Sequence, residues 1–235
     1  MFLPLKDSNP LKVIPYQLVT LTIIVLCGGT FVWQLLLPDP AAETVALSFG
    51  AIPAVLFDHA QLPPELALIP AEATVLTSMF LHAGWLHIGG NMLYLWVFGD
   101  NIEDSMGHVR FAIFYLLCGV AAVLAHAVIY PQSVDPLIGA SGAISGVLGA
   151  YLLLHPKVRV VALVMFKFPL PLPLPAYVVL GSWIVLQFVN VYTDGAVPSR
   201  GGTAWWAHIG GFVAGMLLIV PMRRKHVKLF DRERY

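Results

Sequence analysis

Long apolar runs separated by short polar segments dominate the hydrophobic pattern of this chain. A helix needs about 20 apolar residues to cross the ~30 Å hydrocarbon core of a bilayer, and runs of that length recur here. The pattern predicts membrane-spanning helices, the first to the sixth span, at residues 16–37, 75–98, 111–130, 137–154, 176–192 and 205–221. We therefore expect a polytopic all-α membrane protein with one compact bundle of six helices.

Composition supports this class and excludes others. Of the 235 residues, 58% are hydrophobic and 11% are charged, whereas about a quarter of a soluble domain is charged. The formal net charge is zero, so nothing in the charge favours nucleic acid as a partner. Cys27 and Cys118 fall inside apolar runs, and we interpret them as buried small side chains rather than a disulfide or metal pair.

The basic residues orient the predicted bundle. Of the 13 Lys and Arg residues, 12 lie on one side of the spans and only Arg200 lies on the other. Because cytoplasmic loops are enriched in Lys and Arg, both termini are predicted to lie in the cytoplasm. We expect the membrane to be the plasma (inner) membrane. In this orientation, residues 1–15 form a cytoplasmic segment, residues 16–221 form the membrane domain and residues 222–235 form a basic cytoplasmic tail.

The longest predicted outer loop, residues 38–74, has no Lys or Arg but is rich in apolar residues. Such a loop fits the headgroup region of the bilayer. An ordinary folded loop outside the membrane is an equally good interpretation of the same composition.

Polar residues gather near the outer ends of the second, fourth and sixth predicted spans. They include Ser141 in the fourth and His208 in the sixth. Intramembrane polar groups are functional-site hypotheses by default. A serine hydroxyl becomes a nucleophile when a base takes its proton, and histidine suits that role. The alternative is that Ser141 is a small residue in a helix seam and His208 a structural histidine.

The surroundings of Ser141 favour the catalytic interpretation. Gly139 and Gly142 leave its hydroxyl accessible, and the start of a helix has free backbone N–H groups that can stabilise an oxyanion. His87 and Asn91, four residues apart in "HIGGN", share a helix face and can each donate a hydrogen bond to the same oxyanion. The alternative for this pair is a polar clamp between helices.

Small residues predict how the two helices meet. Gly211 and Gly215 on the sixth span, like Gly142 and Gly146 on the fourth, have the spacing that lets membrane helices approach closely. That crossing would bring His208 to Ser141. We find no Asp or Glu in a span at a depth that could orient His208, so we predict a Ser–His dyad. No HExxH motif is present, and we expect no metal and no other cofactor.

Three ordered motifs resemble a known family, the rhomboid intramembrane serine proteases. They are "HIGGN" on the second span, "GASG" on the fourth and "AHIGGFVAG" on the sixth, and the resemblance covers residues 72–220. It implies that Ser141 is the nucleophile, that His208 is the general base, and that His87, Asn91 and the Ser141 N–H form the oxyanion hole. It also implies six helices around a water-filled cavity that opens outward, with lateral substrate entry near the second and fifth spans and the first long loop.

Two positions depart from well-studied bacterial members of that family. Ala73 and Thr74 stand where those members carry a Trp-Arg pair, and Ser145 stands where some carry a tyrosine that stacks on the histidine. Neither departure removes a catalytic role.

The predicted function is cleavage of single-pass membrane proteins, in or near their spanning helix and on the outer side of the bilayer. A helix hides its peptide bonds, so we expect a preference for substrates with small or helix-breaking residues near the cut. One alternative is a non-catalytic relative that binds transmembrane helices. Another is a transporter or channel that uses the polar cavity, which predicts broken helices in symmetry-related halves, a repeat that we do not find in this sequence.

Overall fold

Helices form most of the computed structural model, which describes residues 2–38, 41–165, 169–194 and 203–230. They are α1 (Leu18–Leu36), α2 (Ala41–Phe49), α3 (Pro53–Leu56), α4 (Ala71–Thr77), α5 (Trp85–Met106), α6 (His108–Ile129), α7 (Ser141–Leu154), α8 (Ala176–Asp194) and α9 (Trp205–Met222), with a 3₁₀ turn at Ser78–Phe80. The strands are β1 (Phe2–Asp7), β2 (Arg159–Met165) and β3 (Pro169–Pro175).

Four helices in the described ranges are long and apolar enough to cross a membrane, namely α1, α6, α9 and residues 176–193 of α8. Helix α1 agrees with its predicted span to within two residues at each end. The prediction of a polytopic helical bundle is confirmed, whereas the number of six spans stays a prediction. Helix α7 has 14 residues and is therefore roughly 21 Å long, shorter than the hydrocarbon core.

The second predicted span is not one helix, and its predicted start at residue 75 is wrong. Residues 71–80 form α4 and the 3₁₀ turn, and a new helix, α5, begins at Trp85. Between them lies His82, whose backbone N–H and C=O both bond to the side-chain amide of Gln34 on α1 at 3.1 and 3.3 Å. Residues on both sides of this break are apolar, so hydropathy cannot reveal it. His82 therefore lies in a loop tied to α1 rather than on the second span.

The outer loop predicted at residues 38–74 contains the helices α2 and α3 and the start of α4 in its described part. Ala51 pairs with Leu137 through two backbone hydrogen bonds, and the N–H of Ala54 donates to the Ser133 carbonyl at 2.9 Å. Ala51, Ile52 and Ala54 are almost fully buried. The loop is thus a folded layer packed on the short link that leads into α7.

A three-stranded antiparallel sheet, which the sequence pattern did not predict, joins the N-terminal segment to the link between α7 and α8. Val160 and Ala162 of β2 are fully buried. Prolines occupy alternate positions of the edge strand β3, "PLPLPLP". Because proline has no N–H, the leucines between the prolines supply the backbone N–H groups that donate to β2. The open side of β3, which faces away from β2, therefore has few N–H groups to pair with another strand.

Basic residues and Ser141 lie at opposite ends of the bundle. The N–H of Arg224 donates to the Ser105 carbonyl at the end of α5, and the Arg110 guanidinium donates to the Met222 carbonyl. Ser141 begins α7 at the other end, beside the outer-loop layer. Four of the basic residues that were used to predict the orientation lie outside the described residues, namely Lys167, Arg200, Arg232 and Arg234.

Asp7, at the end of β1, is a partly buried carboxyl group that accepts a hydrogen bond from the Tyr151 hydroxyl. Burial raises the pKa of Asp7 from about 3.8 to about 6, although the Tyr151 hydroxyl and the Asn9 N–H oppose the shift. A raised pKa means that the folded state favours the protonated form. The stability that this group contributes is present below pH 4 and is lost as the pH rises through 6.

Asp7→Asn is therefore expected to stabilise the protein in a pH-dependent way. The variant should match wild type near pH 4 and exceed it above pH 7 by up to about 3 kcal/mol, because asparagine cannot ionise. Thermal melting of both proteins in detergent at pH 4.5, 6 and 8 measures the difference. A difference that stays constant over this range would contradict the assignment.

Candidate active site

Helices α7 and α9 cross with their backbones nearly in contact. A Cβ atom on Gly215 would lie 1.9 Å from the Gly146 carbonyl oxygen, and one on Gly211 would lie 2.0 Å from the Gly142 carbonyl oxygen. No side chain larger than hydrogen fits at either position. The glycines that the sequence analysis singled out thus form one seam between the helices that carry Ser141 and His208.

The crossing brings the side chains of Ser141 and His208 together. The Ser141 hydroxyl oxygen lies 2.8 Å from Nε2 of His208, within hydrogen-bond distance. Ser141 is the first residue of α7 and partly exposed, whereas His208 is the fourth residue of α9 and only 9% exposed. The pair therefore joins an accessible hydroxyl to a buried imidazole.

Gly139 shapes the approach to Ser141. Its φ of +119° is a conformation that favours glycine, and its N–H donates to the Ser78 carbonyl at 2.8 Å. A Cβ at this position would lie 2.6 Å from Nε2 of His87 and 3.7 Å from Nδ2 of Asn91. Gly139 thus lets the chain before Ser141 pass directly beside the two polar side chains of α5.

His87 and Asn91 point donors toward this place. The N–H of Ala83 donates to Nδ1 of His87 at 3.3 Å, so in the neutral ring Nε2 carries the proton. Asn91 is 8% exposed, and its Nδ2 has no hydrogen-bond partner among the described residues. Buried polar groups usually have partners. A buried, unpaired amide next to Gly139 is a donor available for an acceptor that the protein itself does not supply.

Ser145, one turn into α7, does not reach His208. It is fully buried, and its hydroxyl donates to the Ser141 carbonyl at 2.6 Å. The space around the imidazole is filled instead by two tryptophans, with ring centroids 5.7 Å away for Trp183 and 5.9 Å away for Trp205. Thr74, where the family resemblance placed an arginine, is buried in α4 and donates its hydroxyl to the Ala71 carbonyl.

Gln187 on α8 is a contact of His208 that the sequence analysis missed. Its Oε1 lies 2.8 Å from Nδ1 of His208. The predicted dyad rests on the lack of an Asp or Glu at a suitable depth in the spans, but an amide oxygen can accept the same hydrogen bond. A signal was available, since Gln187 is a polar residue within a predicted span.

The assembled groups have the parts needed for nucleophilic catalysis: a hydroxyl, an acceptor for its proton, and donors around a nearby point. In the ranges that the structure describes, no cluster of three or more His, Cys, Asp or Glu residues could hold a metal ion. The thiols of Cys27 and Cys118 are free and buried.

The family found by comparison with known proteins agrees with the arrangement of side chains around Ser141 and His208. The Rhomboid domain family matches residues 72–225, which is more than half of the chain. The chain belongs to the rhomboid family.

Several relatives match part of this chain. The mitochondrial rhomboid protein 1 of Saccharomyces cerevisiae is 31% identical over 63% of this chain and 41% of its own length. The rhomboid protease GluP of Bacillus subtilis is 32% identical over 63% of this chain and 26% of its own length. Inactive rhomboid protein 1 of Drosophila melanogaster is 35% identical over 34% of this chain and 6% of its own length. The matched region is thus less than half of each relative.

Proposed function

We propose that this rhomboid-family protein is an intramembrane serine endopeptidase with Ser141 as nucleophile and His208 as general base. The single observation that carries the proposal is the 2.8 Å hydrogen bond from the Ser141 hydroxyl to His208 Nε2. An unprotonated Nε2 in this position can take the proton as the hydroxyl oxygen attacks a peptide carbonyl. The name of the relative GluP, a rhomboid protease, agrees with this reaction class.

The proposed reaction has two steps. Attack by Ser141 gives a tetrahedral oxyanion, and His208 then passes its proton to the leaving amine to form an acyl-enzyme. Water, activated by the same imidazole, hydrolyses the ester and restores the hydroxyl. The donors proposed for the oxyanion are Nε2–H of His87, Nδ2–H of Asn91 and the free backbone N–H of Ser141 at the helix start.

The proposed substrates are single-pass membrane proteins, cut in or near their spanning helix. Helix α7 is shorter than the hydrocarbon core, which supports a reaction below the membrane surface. A substrate helix must unwind there to expose a peptide bond, so small or helix-breaking residues near the cut favour cleavage. From the distribution of Lys and Arg along the sequence, we propose that both termini are cytoplasmic, with the site toward the outer face of the plasma membrane.

A second candidate function is binding of transmembrane helices without cleavage. The observation that favours it is the similarity to inactive rhomboid protein 1 of Drosophila melanogaster. Because Ser141 and His208 are both present and hydrogen-bonded, the enzyme is the better-supported candidate.

Labelling with a fluorophosphonate probe in detergent distinguishes the two functions. We expect the wild-type protein to be labelled covalently at Ser141, because the probe reacts with serines that a neighbouring base activates. Mass spectrometry of the labelled peptide identifies the residue.

The matched controls lie on the same two helices. Ser141→Ala and His208→Ala should both lose the label, whereas Ser145→Ala should keep it because the Ser145 hydroxyl donates to the Ser141 carbonyl inside α7. Folded wild-type protein that takes no label would support the binding function and contradict the enzyme.

A further inference from the structure

His208 has a hydrogen bond at each ring nitrogen. Nε2 lies 2.8 Å from the Ser141 hydroxyl oxygen, and Nδ1 lies 2.8 Å from the Gln187 side-chain oxygen. We infer that Gln187 is a positioning residue, which fixes the tautomer and ring orientation of His208. The inference rests on the proposed function and adds a third member to the predicted dyad.

The direction of the Gln187–His208 hydrogen bond is set by a second contact of Gln187. Its Nε2 donates to the Trp183 carbonyl, one turn earlier on α8, at 2.8 Å. The amide nitrogen is therefore occupied, and the amide oxygen is the atom that faces the imidazole. An oxygen can only accept, so Nδ1 must carry the proton and Nε2 must be free to accept from Ser141. One anchored amide thus selects the tautomer that a general base needs.

Burial makes this selection effective. Gln187 is 5% exposed and His208 is 9% exposed, so little water is available to satisfy Nδ1 in the absence of Gln187. A buried donor without a partner is strongly disfavoured. Without the amide, the ring would shift toward the opposite tautomer, with its proton on Nε2, where it blocks proton transfer from Ser141.

A neutral amide also fits the surroundings better than a carboxylate. A buried carboxylate would need to be stripped of water, and charged groups inside a bilayer are costly. Glutamine supplies the same acceptor without a charge. Trp183, whose carbonyl anchors the amide, also packs its ring on the imidazole, so α8 determines both the tautomer and the plane of the ring.

The test compares two substitutions at this position. Gln187→Met has a similar length but no acceptor, and we expect kcat to fall about 10- to 100-fold with KM unchanged. Gln187→Glu, when protonated, keeps a carbonyl acceptor for Nδ1 and a hydroxyl donor for the Trp183 carbonyl. It should retain kcat within about threefold of wild type below neutral pH, and so rescue what methionine loses.

Ser182→Ala is the matched control on α8, because the Ser182 hydroxyl donates to the Val179 carbonyl within its own helix. It should leave kcat and KM unchanged. A Gln187→Met protein with wild-type kcat would overturn the inference. Equal losses in Gln187→Met and Gln187→Glu, with matching losses of melting temperature, would also overturn it, because that pattern is purely structural.

Nitrogen NMR provides a readout that does not depend on cleavage. In protein labelled with ¹⁵N-histidine, we expect His208 to be protonated at Nδ1 only, and to become a tautomer mixture in Gln187→Met. The His208→Gln variant assigns the signals by subtraction. If wild type shows this tautomer but cleaves nothing, the proposed function fails while the positioning role stands. If wild-type His208 is protonated at Nε2, the positioning role fails, whatever the activity.

Discussion

Ser141→Ala is expected to abolish proteolysis, lowering the rate of substrate cleavage by at least about 10⁴-fold. Alanine removes the hydroxyl that lies 2.8 Å from Nε2 of His208. Without it, the proposed base has no nucleophile to activate for attack on the peptide bond. The measurement is co-reconstitution in liposomes with a single-pass protein that has glycine or proline in its outer half. Gel quantification of the two fragments gives the rate.

Ser145→Ala provides the control for this loss. It removes a hydroxyl from the same helix, one turn deeper, whose bond to the Ser141 carbonyl is internal to α7. We expect this variant to retain cleavage within about tenfold of wild type, because it changes neither the proposed nucleophile nor the proposed base. Cleavage by Ser141→Ala at the wild-type rate would eliminate the assignment, and loss in both variants with lowered melting temperatures would point to folding instead.

Gly215→Ala is expected to disrupt the seam between α7 and α9. The added carbon would lie 1.9 Å from the Gly146 carbonyl oxygen and 2.5 Å from the Gly146 Cα. The helices must separate to admit it, which we expect to cost about 3 kcal/mol of stability. Activity should fall as well, because separation moves His208 away from Ser141. Thermal melting in detergent and the cleavage assay measure the two effects.

Gly181→Ala is the matched substitution, because, apart from the nearby backbone of α8 and the two neighbouring residues, no described atom lies within 4 Å of the Cβ that it would add. It should change stability by no more than about 1 kcal/mol, in the favourable direction, because alanine is the better helix former. Equal stability of the Gly215→Ala and Gly181→Ala proteins would show that the close helix crossing is wrong.

Much of the membrane bundle could be predicted because apolar length is a local property. Helix α9 was predicted to begin at residue 205 and begins there, and the end predicted for the fourth span coincides with the end of α7 at Leu154. The break before α5 could not be predicted, because the residues around His82 are apolar whether or not the helix continues. The sheet was missed for a similar reason, since β2 is as apolar as a helix segment and its partner β1 lies about 150 residues away along the chain.

The residues of the candidate site could be predicted from the sequence, but the contacts between their atoms could not. Residue types and spacing alone singled out Ser141, His208, His87 and Asn91, because each is a polar group where an apolar one is expected. Which polar atoms meet depends on the rotation and depth of separate helices, and no local pattern encodes that. The contact between Gln187 and His208 arises only when α8 packs beside α9.

The sequence by itself determined that the chain spans a membrane, which glycines can form a seam, and which side chains have the chemistry for nucleophilic attack. These conclusions follow from the free energy of transferring residues from water into lipid and from the chemistry of single side chains. Only the tertiary structure decided that the Ser141 hydroxyl meets Nε2 rather than Nδ1 of His208, and that an amide rather than a carboxylate occupies the other nitrogen. The physical reason is that hydrogen-bond direction depends on where several helices place their atoms at once.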